Sequence, residues 1–412
     1  MSVVADVTPG PCSGARTEVR LQAVVAVPVR NEAERIGACL DALDGQAGCR
    51  DGELGILLFL NNCSDATAAI VAGRRLRCPI RVVERRSADA NAGWARREAM
   101  EAAADWLDDE GKWAGSVILT TDADSRVPHD WVARNLAAIA SGADAVAGRV
   151  TLDAEEAARL PARLHARGRL EGEYEALLTE LSARLDPLPH DPWPCHATAS
   201  GASLAVLLST YRRVGGMPAL PVGEDRAFER QLLAHGARLR HAPDIAVVTS
   251  GRLDGRAPGG VADTMRLRCE LPDSPCDPKL EPVLRALFRS GCRRWLRRSH
   301  ESGRLPGTRA WAWCLAVPPA RAAEIAAIPA AGELLAAVED ASPRLRYRPV
   351  RPRRLPVQIR LARLAVSALR ARGRALTVGR ALIRRLLAAP GDGPSRHRGR
   401  GGSGTVGSEG AT

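Results

Sequence analysis

Aromatic residues make up only 3% of this 412-residue chain, so its core has to be built from Ala, Leu, Val and Ile. Lysine is nearly missing and stands only at Lys112 and Lys279. The formal net charge of +12 is therefore carried by arginine. Arg and Ala enrichment with scarce Lys is what GC-rich, bacterial coding produces without selection for an anionic partner, so the charge of the whole chain does not make nucleic acid an expected partner. No run of about 18 apolar residues occurs, which excludes an ordinary transmembrane helix. The opening MSVVADVTPGPCSGARTEVR lacks the basic start and apolar stretch of a secretory signal. The ten cysteines include no CxxC pair and no Cys/His run at zinc spacing, and read as reduced thiols. A cytoplasmic protein, at most membrane-peripheral, is expected. A Gly-rich phosphate loop is missing after the first predicted strand, where PVRNEAERI stands instead. That argues against a sugar-1-phosphate nucleotidyltransferase and a dinucleotide oxidoreductase.

What is present is a hydrophobic content of 45%, enough for one large core plus an appended region. Residues 1–20, polar and rich in Gly and Pro, read as a flexible leader. From Ala23 short apolar runs alternate with amphipathic segments: AVVAVP, GILLFL, IRVVE and SVILTT as strands, with helical spacing between them. Asn31 and Glu34 have the spacing of a capping box for the first helix. This βαβα rhythm predicts an α/β layered sheet, mainly parallel, with helices on both faces, and places ligands beyond the carboxyl ends of the strands. PLPHDPWPCH (187–196) reads as a mobile segment. The expected bodies are a sheet domain over 21–268, an Arg-rich, mainly helical region over 269–390 and a disordered tail over 391–412.

Asp122-Ala-Asp124 stands where the SVILTT strand stops. Two carboxylates one residue apart can hold Mg2+ or Mn2+ through oxygen, or one can hold the metal and the other a sugar. An acidic turn before the following helix is the bland alternative. Gly223-Glu224-Asp225 opens a later helix, where acids also suit the helix dipole.

The order VPVRNEAERI, LNNCSDAT, NAGWARREAM, TDAD and GEDRAFERQL resembles the inverting family 2 glycosyltransferases of GT-A, Rossmann-like fold, over roughly residues 22–255. The resemblance implies a sugar transferase, of hexosyltransferase class, that uses a nucleotide-sugar donor. It assigns Pro28, Arg30, Asn31 and Glu32, with Asn61, Asn62 and Asp65, to the nucleotide, Asn61 standing where the family commonly has an acid that contacts the base. Arg96 is placed at the diphosphate or the base pocket, with a solvated helix residue as the even alternative. Asp122 belongs to the donor and metal, Asp124 to the metal. Asp225 is the expected general base and Glu224 its partner, orienting or binding the acceptor. Gly201 matches a small-residue strand start where the donor sugar approaches. Arg252 and Arg256, in a Gly-rich loop after APDIAVVTS, suit a diphosphate or an anionic acceptor. A third metal ligand is open between water, Asp254, His196 and His241. The acceptor, whether small molecule, glycan or lipid-linked, is not specified. The alternative from another class is a non-catalytic protein using its basic C-terminal region on an anionic surface. Residues 341–390 hold 14 Arg and no Asp or Glu, so a peripheral membrane contact is a further reading of that region.

Overall fold

The computed structural model describes residues 3–7, 21–50, 52–88, 91–111, 115–253, 255, 259–305 and 309–387. Its eight strands are β1 (Val3–Val7), β2 (Ala23–Val29), β3 (Leu54–Asn61), β4 (Ile80–Arg85), β5 (Val117–Thr120), β6 (Ala145–Leu152), β7 (Leu204–Leu207) and β8 (Leu239–Thr249). They form one sheet in the order β1-β4-β3-β2-β5-β7-β6-β8. β4, β3, β2 and β5 run parallel, as do β6 and β8, whereas β7 lies antiparallel between β5 and β6. Within the expected leader, Val3–Val7 form β1: VVADV, three of whose five residues are β-branched, pairs antiparallel with β4, and the rest of residues 1–20 lies outside the described residues.

The helices within and beyond the sheet are α1 (Ile36–Asp44), α2 (Thr67–Ala72), α3 (Ala92–Asp109), α4 (Trp131–Ala140), α5 (Ala154–Ala158), α6 (Ala162–Leu185), α7 (Leu208–Val214) and α8 (Glu224–Ala234). They are followed by α9 (Val261–Glu270), α10 (Val283–Glu301), α11 (Arg309–Leu315), α12 (Pro319–Ala326), α13 (Ala331–Ala341) and α14 (Leu355–Leu387). Side chains of a strand alternate between faces, and the two cores divide β2 accordingly. Val24 and Ala26 pack with α3, α7 and α8, through Ala99, Met100, Tyr211 and Phe228. Val25, Val27 and Val29 pack with α1 and α4, through Leu40, Leu43, Trp131 and Val132. The layered α/β arrangement and the helical C-terminal region are thus as the sequence implies. The helices after residue 283 have a core of their own, including Leu296, Trp311, Leu334, Val338 and Leu345.

The chain divides into two units, Met1–Val366 and Ser367–Thr412. The first contains the whole sheet. Of the second, α14 continues to Leu387. The tail expected over 391–412 lies outside the described residues.

Two local expectations fail. The capping box does not form: Asn31 has φ +53°, its Oδ1 accepts from Ser64 N at 2.8 Å, and α1 starts only at Ile36. PLPHDPWPCH is not loose either. Arg240 donates to Asp191 and to the Pro192 and Pro194 carbonyls at 2.7–3.0 Å, fastening the segment to the start of β8.

Candidate active site

Because β3, β2 and β5 are parallel neighbours, the loops that leave their carboxyl ends adjoin. Pro28 stands in β2 opposite Phe59, and Arg30 is exposed just beyond. Asn31 and Asp65 spend polar atoms on clasping the first two loops. Asp65 accepts from Ala33 N and Thr67 N at 3.2 and 3.0 Å, and Glu32 N donates to Thr67 Oγ1 at 2.8 Å. Asn62, at φ +52°, exchanges two hydrogen bonds with the Ser87 backbone. Asn61 differs from its neighbours. It is buried at the end of β3, and its Oδ1 has no partner. A buried acceptor left this way costs its desolvation unless a ligand donates to it.

Arg96 is the junction of the site. It projects from the first turns of α3, is buried, and makes four contacts with three other parts of the chain. Nη2 donates to Asp122 Oδ1 at 2.6 Å, Nε to Glu224 Oε1 at 3.1 Å, and Nη1 to the Gly201 carbonyl at 2.9 Å and Thr120 Oγ1 at 3.2 Å. Burial works against its charge, and Asp122 and Glu224 outweigh that and raise its pKa further. The solvated-helix alternative is therefore excluded. Gly201 takes on a different reason as well: a Cβ there would stand 2.3 Å from Arg96 Cζ, so the missing side chain makes room for the guanidinium.

A second arginine closes the other side. Arg252 donates to Glu32 through both Nη atoms, at 2.9 Å for Nη1, and its Nη2 lies 3.1 Å from Asp124 Oδ2. Thr249 Oγ1 donates to Asp124 Oδ1 at 3.3 Å. Burial, then the charge of Asp122, pushes the Asp124 carboxyl up to about 6 although Arg252 opposes the shift. The Cys39 thiol nearby is raised by burial and then by Asp124, Asp122 and Glu32. Among the described residues, Arg96 is paired with Asp122 and Glu224, and Arg252 with Glu32 and Asp124. Sequence reasoning did not reach Glu156, which holds the Arg252 loop by accepting from Ser250 Oγ and Gly251 N at 2.7 and 2.6 Å. No local pattern announces a contact between residues 94 and 95 positions apart.

Glu224 and Asp225 occupy the first turn of α8 after Gly223, whose φ is +77°. The two acids have different surroundings. Glu224 is buried against Arg96, whereas Asp225 is half-buried and accepts from Arg226 N at 2.7 Å. His196 and His241 do not reach the aspartate pair. Their rings lie 5.5 Å apart, His241 Nδ1 is bound to Asp191 at 2.8 Å, and His196 Nε2 to the Ala147 carbonyl at 3.1 Å. Among the described residues no three His, Cys, Asp or Glu side chains converge as a metal-binding group. Asp254 and Arg256 lie outside the described residues.

Among solved structures, S. aureus TarS 1–349 in complex with UDP-GlcNAc is similar at 16% identity and a TM-score of 0.44, over 87% of this chain and 92% of that one. The mannosyltransferase PcManGT from Pyrobaculum calidifontis, in complex with GDP-Man and Mn2+, is similar at 18% identity and a TM-score of 0.41, over 88% and 80%. No curated protein matches. The sequence pattern of glycosyl transferase family 2 matches residues 24–197, which contain the β2, β3 and β5 loops, Arg96 and both aspartates, while Gly201, Glu224, Asp225 and Arg252 follow it. Residues 24–197 thus match a glycosyl transferase family 2 domain.

Proposed function

We propose that the protein transfers a hexosyl group, with inversion, from a nucleoside-diphosphate sugar to an acceptor hydroxyl. The observation that carries this reading is that one buried arginine, Arg96, joins one acid of each motif, Asp122 of Asp122/Asp124 and Glu224 of Glu224/Asp225, at the carboxyl edge of the sheet. Asp225, free of an ion pair among the described residues, is the general base that takes the acceptor proton. Glu224 is committed to Arg96 and positions the helix start. Asn61 offers its unpaired carbonyl oxygen to an N–H of the base.

Asp122 and Asp124 fit a hard divalent ion, Mg2+ or Mn2+. Each is a carboxylate, Asp122 Oδ2 is not taken by Arg96, and Asp124, raised by burial and by the charge of Asp122 beside it, is a site that a cation would relieve. With no third ligating side chain converging among the described residues, the remaining ligands would be donor phosphates and water, as is usual for Mg2+. Such an ion neutralises charge on the departing diphosphate. Arg252, already aimed at Asp124 from the opposite side, is the residue that shares this task.

A separate observation bears on location. No helix among the described residues is long and apolar enough to cross a membrane. The outer face of α14, however, exposes Val357, Leu361 and Leu364 at helical spacing, Leu364 at 69%, with Arg353, Arg354 and Arg360 beside them. Its inner face buries Leu355, Ile359, Ala362 and Val366. An exposed apolar stripe flanked by arginines suits the headgroup layer of an anionic membrane.

The direct test is release of nucleoside diphosphate from a panel of nucleotide-sugars with and without Mn2+. Hydrolysis of one donor, dependent on metal and lost in Asp225→Asn, is expected. If no donor is turned over and none stabilises the protein thermally, the reading fails.

A further inference from the structure

A cavity of about 1100 Å3 is lined by residues of α6, α8, α10 and α13. Arg226 and Ala227, the residues next to Asp225, line one end of it. Towards α8 and β8 the charges are paired, while Glu175 of α6 also lines the cavity. Lys279 Nζ is bound to Glu229 at 3.0 Å, and His241 to Asp191. Along α10 the pairing is incomplete. Arg289, Arg293 and Arg297 succeed one another at four-residue spacing on one face of α10. Arg297 is fully engaged by both oxygens of Asp186, at 2.6 and 3.0 Å. Arg289 is buried and gives Nε and Nη2 to Glu281, while its Nη1 has no partner. Glu281 is shared with Arg285 at 3.7 Å, so it cannot neutralise Arg289 alone. Among the described residues Arg293 is paired with Glu339, through Nε at 3.5 Å. The Tyr347 ring, 3.8 Å from Arg289 Cζ, fixes the guanidinium plane.

A buried guanidinium with one edge unpaired is costly, and oxyanions are the ligands that match that edge. Across the cavity His241 Nε2 is likewise without a hydrogen-bond partner, facing Glu229 Oε1 at 3.6 Å. We propose that this cavity binds the oxyanion of a phosphate- or carboxylate-bearing ligand, with Arg289 Nη1 and the free Nη groups of Arg293 as its donors. The oxyanion belongs either to the far end of an acceptor whose hydroxyl lies at Asp225 or to a separate small effector.

The test is calorimetric titration of the full chain with inorganic phosphate in an Arg252→Gln background, which removes anion binding at the donor end. One phosphate site is expected, weakened tenfold or more by Arg293→Gln and abolished by Arg289→Gln. Should the buried Arg289 variant not fold, Arg293→Gln, which is half-exposed, decides alone, with its melting temperature as control. No phosphate site, or one of unchanged affinity in Arg293→Gln, overturns the proposal. Donor hydrolysis by otherwise unaltered protein then sorts the source. A rate unchanged by phosphate marks an acceptor-borne group, and a changed rate an effector. Binding is read without turnover, so it stands or falls apart from the transferase assignment.

Discussion

Replacing Arg96 by Met should be the most damaging single change at the active site, because it strands two carboxylates at once. Met keeps the unbranched aliphatic stem and removes the guanidinium, so the main effect is electrostatic. Breaking a buried ion pair by removing one partner costs about 3–5 kcal/mol, since the other charge stays buried and unpaired. The two partners do not count equally. The Asp122 side chain is 34% exposed and can be solvated, whereas that of Glu224 is 11% exposed and cannot. Most of the loss therefore belongs to Glu224, and about 3–4 kcal/mol is expected in all. Urea unfolding followed by tryptophan fluorescence reads this directly. The decisive comparison is the double variant: Glu224→Gln added to Arg96→Met should recover about 1 kcal/mol or more, because the stranded charge is gone, although Glu224→Gln alone destabilises the wild type. A loss under about 1 kcal/mol in Arg96→Met, or no recovery in the double variant, would refute the junction role given to this arginine.

Asp225→Asn should keep nucleoside-diphosphate affinity and lose about 10² to 10⁴ in transfer rate, checked by titration and turnover together; near-normal turnover would move the base to another residue. Asp124→Asn should abolish Mn2+-dependent nucleotide binding in calorimetry, yet raise the melting temperature of the metal-free protein at pH 8. The ordinary carboxyl value is 3.8 and the folded one about 6, so the ionised form costs up to about 3 kcal/mol above pH 6, and the cost is absent below pH 4. Glu229 has the opposite sign: burial opposes its ionisation, but His241 and Lys279 outweigh burial and hold it at about 2. It stabilises fully above pH 4.5, and that stability, about 3 kcal/mol, drains away as pH falls towards 2; Glu229→Gln should flatten this limb of the pH–stability curve. Leu361→Glu with Leu364→Glu should weaken cosedimentation with anionic vesicles, and 1 M salt, where the Debye length is about 3 Å, should weaken the wild type as well. Equal binding by both proteins would leave the exposed face of α14 without that role.

The parallel half of the sheet was legible because its information is local. β2, β3 and β5 are short apolar runs that end at Val29, Asn61 and Thr120, just before Asn31, Asn62 and Asp122, and a parallel sheet brings such ends together. The position of β7 was not legible. GASLAV reads as a strand, but nothing in it says that it runs antiparallel between β5 and β6. The same limit applies to charge. An arginine at the start of a helix looks solvated until the tertiary fold delivers Asp122, Gly201 and Glu224 to it. The capping box at Asn31 misled for a related reason: the side chain preferred a partner 33 residues away, Ser64 N, to the helix beside it.

The clasp between Arg252 and Glu32 spans 220 residues of sequence. During synthesis from the N-terminus, the strands that carry Asn61 and Asp122 emerge long before α8 and the loop after β8. A nascent or truncated chain ending at residue 197 would thus own both aspartates, yet lack Glu224 to balance Arg96 and Arg252 to balance Glu32. It would carry misplaced charge of each sign at an open sheet edge, where β7 has yet to arrive. The candidate site is consequently among the last parts of this protein to mature, and fragments cut at residue 197 should be poorly behaved rather than partly active.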